Sequence, residues 1–378
     1  MDSLSWARRG GPGLEARGLR LGEPRSEAPP FFKAGSFFLR VEPLGLFMGR
    51  VVVSAAIEEG HLHYRYGSEP PFFDLEISDI KAELEGILLG GTLKGKGEGR
   101  VFDESSPDLK WQGTLRPADG PVDFEIALGE GRLIATGEGF PHQSPPRFGL
   151  EFEANDFDLE GAFRRFQKGT ETEWIPAGRV FGRVELQGSG REWGDLQNSL
   201  SGVGRLEIRE GAIRNLNLVK AVLARITVVP GLGEVLAQAA PAPFQPLLNH
   251  RDTTFEALEV NFHVQGDQLA VESLILKESQ YVIEGSGTVG LAGVFDLRAK
   301  LVLLEEISGF LIQKVGELGY LANEQGRIVI PFVLRGKWPE VRPEPDLAYL
   351  AEKLIVDQGA RLMEWGLETL SQAVKGSE

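Results

Sequence analysis

The chain has 378 residues, 42% hydrophobic and 25% charged, which is enough for two or three folded domains or one elongated array and too apolar for a disordered protein. Its net charge of −15 comes without any Lys/Arg cluster, which excludes a nucleic-acid binder and adsorption of the whole surface to anionic headgroups. With no cysteine there are no disulfides, zinc–thiolate sites or thiol nucleophiles, and no run of about 20 nearly uninterrupted apolar residues is present to span a bilayer.

Residues 1–30 are polar and rich in Gly, Pro and Arg, and are expected to be poorly ordered. The opening MDSLSWARRGGPG has no apolar core behind its arginines, so it does not read as a signal peptide. Residues 31–194 read as a β-rich region. Val122, Phe124, Ile126 and Leu128 alternate with Asp123 and Glu125, and Phe148, Leu150, Phe152 and Ala154 alternate with Arg147, Glu151 and Glu153. Successive strand side chains point to opposite faces, so each segment predicts a strand with one apolar and one wet face. The 48 glycines punctuate these segments as turns and strand ends.

Residues 195–345 continue the pattern as a second module. Phe262 and Val264 flank His263; Phe295, Leu297, Ala299, Leu301 and Leu303 alternate with Asp296, Arg298 and Lys300; Ile328, Ile330, Phe332 and Leu334 follow. Helical spacing appears at Leu216, Val219, Val222, Leu223 and Ile226, and again at Ile307, Phe310, Leu311, Val315 and Leu318. The third such stretch is the tail, residues 346–378, where Leu347, Leu350, Ala351, Leu354, Leu362, Trp365 and Leu370 form an apolar stripe after Pro345. The fold class is therefore mainly β: an elongated antiparallel sheet, curled into a groove or closed as a sandwich, with a few amphipathic helices and a C-terminal helix.

Motifs that resemble chemistry fail on context. Gly90, Gly95 and Lys96 have phosphate-loop spacing, but Gly97 stands where Ser or Thr must hold magnesium, and no helix follows. Gly285, Gly287 and Gly290 fit G-x-G-x-x-G, yet the residues after them alternate like a strand. His61 and His63 share a strand face without an obvious third ligand. Acidic pairs such as Asp156/Asp158 and Glu305/Glu306 default to solvated faces. The expectation is a protein without catalytic residues, metal or cofactor.

Several segments resemble the AsmA-like family of bacterial envelope proteins. In the second half these are the turn Glu210-Gly211-Ala212-Ile213, the strand with Thr253, Phe255 and Leu258, the glycine hairpin after Tyr281, and the closing Ile330-Pro331-Phe332 with Gly336, Pro339 and Pro343. Residues 14–67 resemble the opening of family members just after their membrane anchor. The resemblance implies a non-enzymatic periplasmic protein, tethered to the inner membrane by an N-terminal helix and supporting outer-membrane homeostasis. No such anchor is seen here, so the chain is expected to be part of a longer parent. Larger relatives form β-grooves associated with phospholipid passage, and the implied partner is phospholipid or a related envelope lipid. The alternative is a scaffold or adaptor for outer-membrane protein assembly, docking partners through edge strands or the tail helix.

Alternation is the same for a groove and a sandwich; the resemblance favours the groove. Its expected lining is Phe124, Ile126, Leu128, Phe148, Leu150, Phe152, Phe262, Val264, Phe295, Leu297 and Leu301. An acyl chain lying there gains roughly 0.8 kcal/mol per buried CH₂ without directional bonds, so it is held yet free to slide.

Overall fold

The computed structural model describes residues 1–7, 13–22, 31–43, 45, 48–66, 73–87, 91–101, 108–115, 119–128, 131–166, 174–191, 193–226, 247, 249–337 and 340–353. The fold is mainly β. Eighteen strands belong to one antiparallel sheet that is not closed into a barrel. The chain divides into two compact units, Met1–Arg209 with Val260–Ala270, and Glu210–Glu259 with Val271–Glu378.

The first unit contains β1 (Ser3–Ala7), β2 (Gly13–Leu21), β3 (Phe32–Val41), β4 (Val52–Tyr66), β5 (Phe73–Ile87) and β6 (Leu93–Val101). It continues with β7 (Asp108–Leu115), β8 (Gly120–Leu128), β9 (Gly131–Phe140), β10 (Arg147–Asp158) and β11 (Ile175–Ser189). Two short helices, α1 (Leu159–Phe166) and α2 (Trp193–Ser199), also belong to it. From β1 to β11 each strand pairs antiparallel with the next along the chain. The strands β12 (Ser201–Arg214), β13 (Thr253–Gln265) and β14 (Gln268–Lys277) contribute residues to both units.

The second unit adds α3 (Leu218–Leu223), β15 (Tyr281–Gly290), β16 (Val294–Leu303), α4 (Glu305–Lys314), a 3-10 helix (Gly316–Leu321), β17 (Val329–Lys337) and β18 (Arg342–Pro345). Its core shows how alternation becomes packing. Register places Ile283 opposite Leu301 and Leu301 opposite Ile330, with Ala299 opposite Phe332 on the same face. Ile307 and Leu311 of α4, Leu318 of the 3-10 helix and Val219, Val222 and Leu223 of α3 are buried with that row. Ser308 fixes α4 at its end: its Oγ donates to the Leu303 carbonyl at 2.8 Å and accepts the Ile328 N–H at 3.0 Å. Thr253 does the same for α3, with Oγ1 accepting the Leu218 N–H at 2.8 Å and donating to the Leu216 carbonyl at 2.6 Å. Both side chains are buried and satisfied, which removes the cost of an orphaned polar group.

One expectation changes and one helix is new. The first thirty residues carry β1 and β2, because Leu4 and Trp6 line up in register with Ala16 and Leu14 and extend the sheet. The helix α1 was not anticipated, since eight residues give only one full apolar repeat. In the tail, residues 347–353 are helical with Leu350 buried. Leu354, Leu362, Trp365 and Leu370 of the expected stripe lie outside the described residues.

Candidate functional site

The strand registers of the first unit thread its apolar residues into one continuous face. Trp111 stands opposite Ile126, and Gly113 opposite Phe124. Phe124 stands opposite Ala135, and Ile126 opposite Leu133. Ala135 meets Phe152, Gly137 meets Leu150, and Gly139 meets Phe148. Across β11 the partners are Gly188, Leu186 and Val184. The same row continues the other way through Gly95 and Leu84 to Ala55 and Leu39.

A bulge keeps this face intact at the far end of β10. Asp156 adopts φ 55 there, and its carboxylate accepts from Arg179 Nε at 2.7 Å. The bond to Arg179 holds its carboxyl below the usual carboxylate range. The extra residue shifts the register so that Phe157 returns to the apolar row opposite Val180.

What separates this face from the row in the second unit is its cover. Leu301 and Ile330 are 0% exposed beneath their helices. Trp111, Phe124, Ile126, Leu133, Phe148, Leu150 and Phe152 are all only half-buried. Neighbouring side chains supply that partial burial: the Trp111 and Phe124 rings stack with centroids 5.8 Å apart. Rings also lie over glycines of the next strand. A Cβ on Gly97 would stand 2.5 Å from the Trp111 indole, one on Gly113 2.5 Å from Phe124, and one on Gly188 3.0 Å from Phe148.

The face is also curled. β5 and β11 are six strand spacings apart, about 29 Å in a flat sheet at ~4.8 Å per strand. The eight-residue α1, about 12 Å long at ~1.5 Å per residue, touches both β11 and β5. A helix so short reaches both strands because the sheet between them curls.

The expected lining residues therefore fall into three groups. Phe124, Ile126, Phe148, Leu150 and Phe152 share the half-open face, and Leu128 holds a register position in the same row, opposite Leu109 and Gly131. Phe262 and Val264, on β13, are buried at 9% and 5% exposure. Leu297 and Leu301 belong to the covered core of the second unit, with Phe295 half-buried at the far end of their strand. Residues that the sequence reading did not single out, Trp111, Leu133, Val184 and Leu186, complete the first group. Their signal was present in the register, which only pairing reveals.

The opposite face is charged and already paired. A depression of about 580 Å³ there is lined by Glu83, Glu85, Lys94, Lys96, Asp123 and Glu125 among others. Lys96 Nζ stands 3.0 Å from Glu83, whose hydrogen bond pushes the lysine above its ordinary range. Gln112 donates to Glu125 at 2.8 Å. Groups satisfying one another on an exposed surface make a solvated face rather than an anion site. Gly95, Lys96 and Gly97 lie within strand β6, and Gly285 and Gly287 precede a hairpin into β16. His61 Nε2 is 3.7 Å from Glu76, and no group of three metal-ligating side chains occurs among the described residues.

No family model, curated protein or solved structure matches the chain. The AsmA-like resemblance rests on the segments quoted above.

Proposed function

We propose that the first unit shelters the acyl chains of phospholipid on its curled apolar face, and that the protein does so as a non-enzymatic component of the bacterial envelope. The observation that carries this reading is the contrast between the two units. The same alternating rows are sealed by helices in one and left half-open in the other. An apolar sheet face must be covered by another layer, by helices or by a ligand. Among the described residues of this unit the helices are the short α1, against β11 and β5, and α2, against β11.

Lipid suits the face better than a polar ligand, because the row from Leu39 to Leu186 contains no charged side chain. Burial there is non-directional, so a bound chain is retained without a fixed set of bonds. The periplasmic setting, the inner-membrane tether and the support of outer-membrane homeostasis follow from the AsmA-like resemblance and form part of the same proposal.

The test is uptake of a fluorescent phosphatidylethanolamine from vesicles. Phe124→Asp and Phe152→Asp place a charge on the half-open face, where the free protein hydrates it, and are expected to reduce uptake several-fold with little change in thermal stability. Uptake that is unaffected in both variants would sink the proposal and favour the adaptor reading.

A further inference from the structure

An unpaired strand edge offers its N–H and C=O groups to any other strand, and folded proteins guard such edges with charges or proline. β10 is flanked by β9 and β11, and β2 by β1 and β3, so the free sides among the described residues belong to β1 and β18. β18 is guarded. Asp346 donates its N–H to the Pro331 carbonyl at 2.9 Å, so in the alternating ladder Arg342 and Glu344 also turn inward. Pro343 and Pro345, which have no N–H, hold the outward positions. β1 has neither guard. Its sequence SLSWA lacks proline, and of the eighteen strands it alone carries no charged residue. Leu4 and Trp6 are 58% and 81% exposed. Register sets Trp6 opposite Leu14 and Leu14 opposite Leu39, so Trp6 begins the apolar row described above, with Leu4 on the same face. The charges beside β1 are already paired, Asp2 with Arg20 at 3.5 Å and Glu15 with Arg17 at 3.0 Å.

We propose that β1 pairs with β1 of a second copy of this chain, antiparallel about a two-fold axis at Ser5. Leu4 of each copy then stands opposite Trp6 of the other, an aliphatic–aromatic cross-strand pair made twice. A two-fold axis sets a central charged residue against itself, and β1 has none to oppose. Pro343 and Pro345 deny β1 a ladder on β18, so copies do not add head to tail and the contact closes as a dimer. The axis stands normal to the sheet, which keeps the same face of each copy on the same side. The apolar rows of the two copies therefore run together across the junction. The pairing itself needs no lipid. Five paired residues bury less than the roughly 1,200 Å² of a stable interface, so the dimer forms and dissociates with concentration.

The chain has no cysteine, so a single introduced thiol in the full chain reports the register. In Ser5→Cys the two thiols face each other, with Cα atoms about 4.5–5.5 Å apart in an antiparallel pair, within disulfide reach. In Ser3→Cys each thiol stands four residues along the ladder from its copy, about 13 Å at ~3.3 Å per residue, and out of reach. Oxidation with copper–phenanthroline is expected to link Ser5→Cys several-fold faster than Ser3→Cys. Sedimentation of the parent chain is expected to show a dimer whose fraction grows with concentration. Leu4→Lys combined with Trp6→Lys sets like charges opposite one another across the axis, and is expected to lower that fraction several-fold with strand content by circular dichroism retained. Equal linking of the two cysteine variants, a parent that stays monomeric at every concentration, or a dimer that survives the double substitution would each overturn the proposal.

Discussion

Individual residues decide whether an apolar row is core or site. Phe148 and Leu301 sit in similar alternating patterns, each directly after a basic residue (Arg147, Lys300), yet Leu301 is sealed and Phe148 is half-open. Nothing local to either residue encodes that difference. It depends on Ser308 and Thr253, which pin helices over one row through bonds to backbone groups distant in sequence. The sequence therefore revealed the members of the rows but not which rows were covered, and it placed Leu297 and Leu301 alongside Phe148 for that reason.

Two groups of the covered unit, Tyr281 and Asp252, depart from their ordinary range. Burial, and to a smaller degree Glu278, pushes the Tyr281 phenol above its ordinary range, and its hydroxyl donates to the Thr254 carbonyl at 2.8 Å. A folded-state pKa raised in this way stabilises the unit fully below the unfolded value of about 10 and less as pH climbs beyond it. Asp252 is lowered by the Asn215 N–H and then by Arg214, so its contribution is present above about 3.9 and is lost as pH falls further. Urea midpoints between pH 8 and 11 should therefore fall less steeply in Tyr281→Phe than in the parent, and those below about pH 4 less steeply in Asp252→Asn. Identical slopes in parent and variant would remove these groups from the account of pH stability.

At the scale of elements, glycine-rich strands pave the half-open face. β6 presents Gly95 and Gly97 beneath the Trp111 ring, so the ring lies flat instead of standing into the space above. Gly97→Val puts a side chain where the indole now rests and forces Trp111 upward. The expected outcome is several-fold weaker uptake of fluorescent phospholipid and a changed Trp111 emission, with strand content by circular dichroism retained. Unchanged uptake would mean that the flat ring is incidental to binding. The strands themselves were legible from period-two alternation. The short α1 was not, and neither was the bulge at Asp156, since a left-handed backbone at an aspartate has no reliable mark in the sequence. The strands β1 and β2 were obscured by Gly, Pro and Arg around them, although Leu4, Trp6, Leu14 and Ala16 already alternated.

For the molecule as a whole, one antiparallel sheet serves two purposes. In the second unit its apolar face is spent on a closed core, and in the first it stays available to a ligand. The fold class could be read from alternation alone, whereas the open face required strand register and burial. The central claim concerns that open face, and the most direct measurement is mass spectrometry of organic extracts from protein purified without detergent. The expected result is co-purifying phospholipid near one molecule or more per chain, lost in the Phe148→Asp variant. A lipid-free, monodisperse and stable protein would contradict it.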